Sequence, residues 1–181
     1  MGARLVTGQT VGRAMLVTFL FVLVQETLML RLRIGGVHPD VMVLLPILAG
    51  IVAGPARGAT VGFGAGLVAD LFLPTPYGLS ALVGCLLGFG VGMAVVAVDR
   101  SAWWLAPVAA LAGSAVYEVA FAALGALLGQ QQMLHVAIVR IVVVVAGVNA
   151  ILAAPALRLV DWGLPEASTE GLPSATAATV R

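Results

Sequence analysis

The fold is decided by residues 54–92, which read GPARGATVGFGAGLVADLFLPTPYGLSALVGCLLGFGVG. Residues four apart share one face of a helix. Glycine recurs at that spacing on both sides of a Pro-Thr-Pro-Tyr-Gly turn, at Gly54, Gly58, Gly62 and Gly66 and then at Gly84, Gly88 and Gly92. The pattern predicts a hairpin of two apolar helices, each with a glycine-lined face.

Glycine costs about 1 kcal/mol relative to alanine inside a helix in water, so a compensating gain is needed. In a bilayer that gain is close packing, because small residues four apart let two helix backbones approach each other. The first glycine face has two interpretations. Either it packs inside the hairpin, or it docks a partner's transmembrane helix through Gly58, Gly62, Gly66 and Asp70.

The composition is that of a polytopic membrane protein. Hydrophobic residues make up 61% of the chain and charged residues 9%, and the mean hydropathy is +1.12. A net charge of +1 gives no basic face for nucleic acid. Cys85 is the only cysteine, and His38 and His135 are too isolated to suggest a metal site. We expect no catalytic group, cofactor or metal, and therefore no enzyme.

Six apolar segments predict an all-α, six-transmembrane-helix bundle as an integral membrane domain over residues 1–162. We expect the remaining residues, 163–181, to form a disordered cytoplasmic tail, because Pro, Ala, Ser, Thr, Gly and Glu dominate there. Arginines concentrate on the side of the two termini, which predicts that both termini are cytoplasmic. The predicted spans are residues 14–30, 40–53, 58–73, 79–98, 104–128 and 133–157.

Ionisable residues inside a membrane are costly and are candidates for function. Four qualify here: Glu26, Asp70, Glu118 and Arg140. Their predicted depths suggest that Glu118 and Arg140 form a buried ion pair between spans five and six. The alternative is that the four line an outward cavity for a small polar solute.

Three other polar residues in or near the predicted spans have structural interpretations. Asp40 follows His-Pro, where its carboxylate can accept an N–H at the start of a helix. Asn149, deep in span six, is typical of a hydrogen bond between helices. Ser114 is too deep to pair with His135 as a nucleophile and base.

One set of motifs runs through the first half of the chain: Gly36-Val-His-Pro-Asp40, Gly58, Gly62-Phe-Gly-Ala-Gly66, Leu67-Val-Ala-Asp70, Pro76-Tyr-Gly-Leu-Ser-Ala-Leu82 and Gly88. In these motifs the chain resembles the MreD family of rod-shape-determining membrane proteins. The resemblance covers about a quarter of the chain, and the long tail departs from the family pattern. Its most specific part is the aspartate that closes a glycine-rich helix before a Pro-x-Gly-Leu-x-Ala-Leu turn.

The resemblance implies a non-enzymatic scaffold of the cell-elongation complex in the bacterial cytoplasmic membrane, which supports peptidoglycan synthesis and cell shape. Its direct partner would be the single-span protein MreC. MreB filaments, the RodA glycosyltransferase and a penicillin-binding transpeptidase would be indirect partners. The family also resembles, in fold, the substrate-binding subunits of energy-coupling-factor vitamin transporters. A solute-binding subunit of that kind is therefore the alternative function.

Overall fold

The computed structural model describes residues 2–29, 31–73, 76–98, 102–130 and 137–164. Within these ranges the chain is helical apart from turns and one isolated bridge between Ile34 and Val37, which confirms the all-α prediction. The helices are α1 (Gly2–Val24), α2 (Leu44–Asp70), α3 (Leu79–Ala94), α4 (Leu105–Leu127) and α5 (Ala137–Gly163). A π-helical turn, Gln25–Met29, extends α1, and a 3-10 turn, Val95–Ala97, extends α3.

Many large apolar side chains lie at the surface, and several polar side chains within the helices are buried. Phe19 and Phe63 are 62% and 51% exposed, whereas Asp70, Ser114 and Asn149 are fully buried. This distribution is the reverse of that in a water-soluble protein. Four segments are long and apolar enough to cross a membrane: Val11–Met29, Leu44–Asp70, Leu105–Leu127 and Ile138–Gly163. By these criteria the chain is a helical membrane protein.

Helix α2 folds back on itself at Gly54. The backbone of Gly54 has φ 81° and ψ −179°, a conformation that glycine adopts without strain because it has no Cβ. Pro55 begins a new helical segment, where its lack of an N–H leaves no hydrogen bond unmade. A Cβ placed on Gly62 would lie 2.9 Å from Cβ of Pro46, although a continuous helix would separate these residues by about 24 Å. Residues 44–53 (the first arm) and 55–70 (the second arm) therefore run antiparallel.

The number of predicted spans needs correction. The predicted spans two and three correspond to the two arms of α2, which is a single element broken at Gly54. At 1.5 Å per residue the arms are about 15 Å and 24 Å long, against a hydrocarbon core of about 30 Å. Helix α3 is also shorter than the other candidates. The described residues thus hold four candidate spans by length and composition, and not six.

The first arm of α2 lies at the centre of the bundle. Every residue from Val41 to Val52 is buried, and the second arm and α3, α4 and α5 pack around this segment. Helix α1 lies at the periphery, with 11% of Val11–Met29 buried. Most of the predicted tail, residues 165–181, lies outside the described residues.

The middle of α1 and the last turns of α5 meet at one end of the bundle. The guanidinium of Arg13 there lies 5.3 Å from the ring centre of Trp162. We call this the Trp162 end. The loop of residues 31–43 lies at the opposite end, the Asp40 end, where Arg140 donates a hydrogen bond to the carbonyl of Gly35.

Candidate functional site

The two glycine faces pack against each other. A Cβ placed on Gly84 would lie 2.6 Å from the carbonyl oxygen of Gly62, and one on Gly58 would lie 2.5 Å from that of Gly88. Distances this short leave no space for any side chain, so the second arm of α2 and α3 touch backbone to backbone. The packing interpretation of the pattern is correct. The expected docking surface of Gly58, Gly62, Gly66 and Asp70 is covered by α3 of the same chain, and a partner's helix has no room there.

Asp70 caps the N-terminus of α3 from the end of α2. Its Oδ2 accepts hydrogen bonds from the N–H groups of Gly78 at 2.8 Å and Ala81 at 3.4 Å, and its Oδ1 accepts one from that of Ser80 at 3.1 Å. The first N–H groups of a helix have no partner within the helix, and a carboxylate there is also favoured by the helix dipole. The buried carboxylate therefore has a structural partner and is not left for a ligand.

The Asp70 cap explains the turn sequence. Gly78 precedes α3 with φ 92°, a left-handed conformation that glycine adopts without strain. This conformation aims the N–H groups of Gly78, Ser80 and Ala81 at one carboxylate. The aspartate and the Pro-x-Gly turn thus form one device that joins α2 to α3.

The predicted ion pair between Glu118 and Arg140 is wrong. Arg140 is exposed, and its Nη1 donates a 3.3 Å hydrogen bond to the carbonyl of Gly35. Within the described part of the chain it forms no ion pair with Glu118. The two residues lie at different depths, as the register of α4 and α5 shows.

A hydrogen bond of 2.8 Å from Nδ2 of Asn149 to Oγ of Ser114 defines this register. Because α4 and α5 run antiparallel, Glu118 lies level with about residue 145. Arg140 is about five residues, or 7.5 Å, closer to the Asp40 end. The sequence prediction placed the two residues about 5 Å apart in depth, a gap that an arginine side chain can close, but hydropathy did not show that the side chain of Arg140 lies at the surface.

Asn149 confirms the prediction of a hydrogen bond between helices. Its Nδ2 also donates a 2.8 Å hydrogen bond to the backbone carbonyl of Asp40, so one buried amide joins α4, α5 and the loop before α2. Ser114 is thereby a partner of Asn149. Its hydroxyl has a structural role in this contact.

Gln25 is the functional candidate that sequence reasoning missed. Its Nε2 donates to the carbonyl of Pro39 at 3.3 Å, and its Oε1 accepts from the N–H of Val41 at 2.9 Å. The side-chain amide therefore holds the backbone of the loop on both sides of Asp40. The available signal was a glutamine beside Glu26 at the end of an otherwise apolar run.

A small polar cavity lies at the Asp40 end. Its volume is about 120 Å³, and Gln25, Glu26 and Asp40 line it together with apolar residues, Val22, Met42, Ala69, Phe72 and Leu73. Of the four ionisable residues predicted to line an outward cavity, only Glu26 does so. Asp70 is bound to α3 and Arg140 to the loop.

Asp40, like Glu26, contributes a titratable carboxyl group to this cavity. Burial raises the pKa of Asp40 from 3.8 to about 6, the hydrogen bond from the N–H of Met42 opposes this shift, and the charge of Glu26 adds to it. The 2.9 Å bond from Met42 confirms that Asp40 accepts a local N–H, although α2 itself begins later, at Leu44. The cavity thus loses negative charge in mildly acidic conditions.

Comparison with protein-family models, curated proteins and solved structures finds no match for this chain. Within the described ranges, no group of three or more His, Cys, Asp or Glu residues is placed to hold a metal ion. The structure offers three features of functional interest: the Asp70 cap, the polar cavity, and apolar grooves between helices.

Proposed function

We propose that this chain is a non-enzymatic scaffold subunit of the bacterial cell-elongation complex, which binds the single-span protein MreC in the cytoplasmic membrane. The observation that carries the proposal is the Asp70 cap. The residues on which the resemblance to the MreD family is most specific, Asp70 and Gly78, act together in one contact. A motif whose residues depend on each other in three dimensions is stronger support for a shared fold than a similarity of composition.

A partner's helix needs a surface other than the first glycine face. The groove between α3 and α4 is the best candidate, because it is apolar and has a volume of about 400 Å³. Small residues line it, including Gly90, Ala94, Ala109 and Ala112. Small residues at a surface let a second helix approach closely in a bilayer. We place the transmembrane helix of MreC in this groove.

Capture of MreC from the membrane of a rod-shaped bacterium tests this placement. Gly90 and Gly64 are matched positions, because a Cβ on either would meet no atom within 4 Å. Gly90 lines the groove, whereas Gly64 lies on the second arm of α2 outside it. We expect Gly90→Leu to abolish co-purification of MreC and Gly64→Leu to retain it, with both variants folded. Equal capture by both, or no capture by the native chain, would contradict the proposal.

The proposal also places both termini in the cytoplasm and the turn at Tyr77 outside it. Single cysteines at Gln9 and Tyr77, in a chain without Cys85, report on the two ends. We expect an impermeant thiol reagent to label Tyr77→Cys in intact cells and to leave Gln9→Cys unlabelled. If only Gln9→Cys is labelled, the topology is the reverse of the proposed one.

The alternative function is a small-solute-binding subunit of an energy-coupling-factor transporter. The polar cavity at the Asp40 end favours it, because Gln25, Glu26 and Asp40 could orient a polar solute. Its volume of about 120 Å³ opposes it, since pockets for ligands of drug or vitamin size measure roughly 300–1,000 Å³. A vitamin-sized molecule that co-purifies with the chain, detected by mass spectrometry, would favour this alternative over the scaffold.

A further inference from the structure

An apolar groove of about 240 Å³ lies between α1 and α5. Every side chain on it is apolar, and the lining residues are Leu20, Phe21, Val24, Val41, Leu44, Leu152, Pro155, Ala156 and Leu159. Both helices are candidate membrane spans, so the groove lies within the hydrocarbon region. A groove without polar groups does not hold water.

The groove is closed towards the Trp162 end by a tight helix contact. A Cβ placed on Gly163 would lie 2.6 Å from Cγ2 of Val17, so α1 and α5 touch there. The groove begins at Leu20 and Leu159, about one turn further into the bilayer, and extends past Val24 and Leu152. Arg13, Val17 and Leu20 are spaced by four and three residues, so they share one face of α1. The groove lies on this face.

Two arginines and a tryptophan stand at the membrane boundary next to this groove. The guanidinium of Arg13 lies over the ring of Trp162, and Arg158 is exposed one turn before Trp162 on the same face of α5. Within the described part of the chain neither arginine forms an ion pair. Asp161, also exposed, is the nearest acidic residue along α5. The local balance is therefore one excess positive charge at an apolar groove.

We propose that this groove binds one anionic phospholipid, with its phosphate at Arg13 and Arg158 and an acyl chain between α1 and α5. The dimensions agree: Arg13 and Val24 are about 16 Å apart along α1, close to half of a hydrocarbon core of about 30 Å. A lipid suits this groove better than a partner's helix, because the exposed arginines at its end complement a phosphate and its walls are apolar throughout. Basic pockets between transmembrane helices are known to bind anionic headgroups.

The test measures the lipid that stays bound after purification from nanodiscs that contain equal amounts of phosphatidylglycerol and phosphatidylcholine. Native mass spectrometry counts the bound lipids. We expect one phosphatidylglycerol in preference to phosphatidylcholine. Arg13→Gln with Arg158→Gln should bind it about twenty-five-fold more weakly, since each surface arginine contributes about fivefold. The matched control is Arg31→Gln with Arg33→Gln, which removes two exposed arginines at the Asp40 end and should leave retention unchanged.

A second pair of variants tests the acyl chain. Ala156 lines the groove, whereas Ala154 on the same helix is exposed outside it. Ala156→Leu should reduce phosphatidylglycerol retention at least fivefold, with Ala154→Leu unchanged and both thermal unfolding curves as in the native chain. The proposal is overturned if phosphatidylcholine is retained equally, if the Arg31 and Arg33 control loses as much, or if water-soluble glycerol phosphate competes as strongly as the lipid.

Discussion

Removal of the Asp70 carboxylate is the most direct test of how the hairpin is held together. In Asp70→Ala the N–H groups of Ser80 and Ala81, both in buried residues, lose their acceptor, and that of Gly78 loses one at a partly buried site. An unsatisfied buried donor costs about 1–3 kcal/mol. The two buried donors therefore predict a loss of about 2–6 kcal/mol in the free energy of unfolding.

Asp70→Asn separates the two oxygens. The asparagine oxygen can still accept from Ser80, whereas its amide nitrogen cannot accept from Gly78 and Ala81. The loss should then be about half that of the alanine variant, or about 1–3 kcal/mol. Asp161→Asn removes an exposed carboxylate at the other end of the bundle and is the matched control.

The assay combines thermal unfolding in detergent with hydrogen exchange of single amides. We expect a lower unfolding temperature in the order native chain, Asp70→Asn, Asp70→Ala, and faster exchange at Gly78, Ser80 and Ala81 in both variants. Exchange in α5 should not change. The reasoning is refuted if Asp70→Ala unfolds at the same temperature as Asp161→Asn, or if the three amides stay protected from exchange without the carboxylate.

Three further predictions follow from the described contacts. Gly62→Ala should yield little folded protein because its Cβ overlaps the backbone of Gly84, whereas Gly64→Ala, which meets no atom within 4 Å, should give the native yield of monodisperse protein. Glu118→Gln and Arg140→Met should add within about 0.5 kcal/mol in a double-mutant cycle; a larger coupling would restore the predicted ion pair. The pKa of Asp40 is higher in the folded chain, at about 6, than its ordinary 3.8. The free energy of unfolding should therefore decrease as the pH rises from 4 to 6 and stay constant above pH 6. Asp40→Asn should abolish this pH dependence in unfolding experiments at several pH values.

The sequence by itself determined the class of the protein and the approximate positions of its helices, although α1 begins at Gly2 and not at residue 14. Apolar runs of this length and hydropathy have few stable arrangements other than helices in a bilayer. Local chemistry also located the turn at Pro76 and Gly78, because proline and glycine are common where a helix ends and a turn begins. These features depend on residues close together in the chain, so sequence reasoning reached them.

Tertiary structure alone decided which helix faces meet and how neighbouring helices are positioned along the bundle axis. Periodicity shows that Gly58, Gly62 and Gly66 share a face, but an apolar glycine face fits a helix of its own chain or of a partner equally well by sequence. Only the observed contact with α3 assigns it. Glycine spacing therefore predicted that a helix packs closely against this face, but it did not predict which helix.

The register between α4 and α5 is the clearest case of the same limit. A shift of one residue moves a side chain by about 1.5 Å along the axis, and apolar helices slide past one another with little change in buried area. The hydrogen bond between Asn149 and Ser114 sets the height, and with it the separation of Glu118 from Arg140. Gln25 holds a loop fourteen to sixteen residues away in sequence. Polar contacts between distant segments depend on the folded geometry, which hydropathy and spacing do not contain.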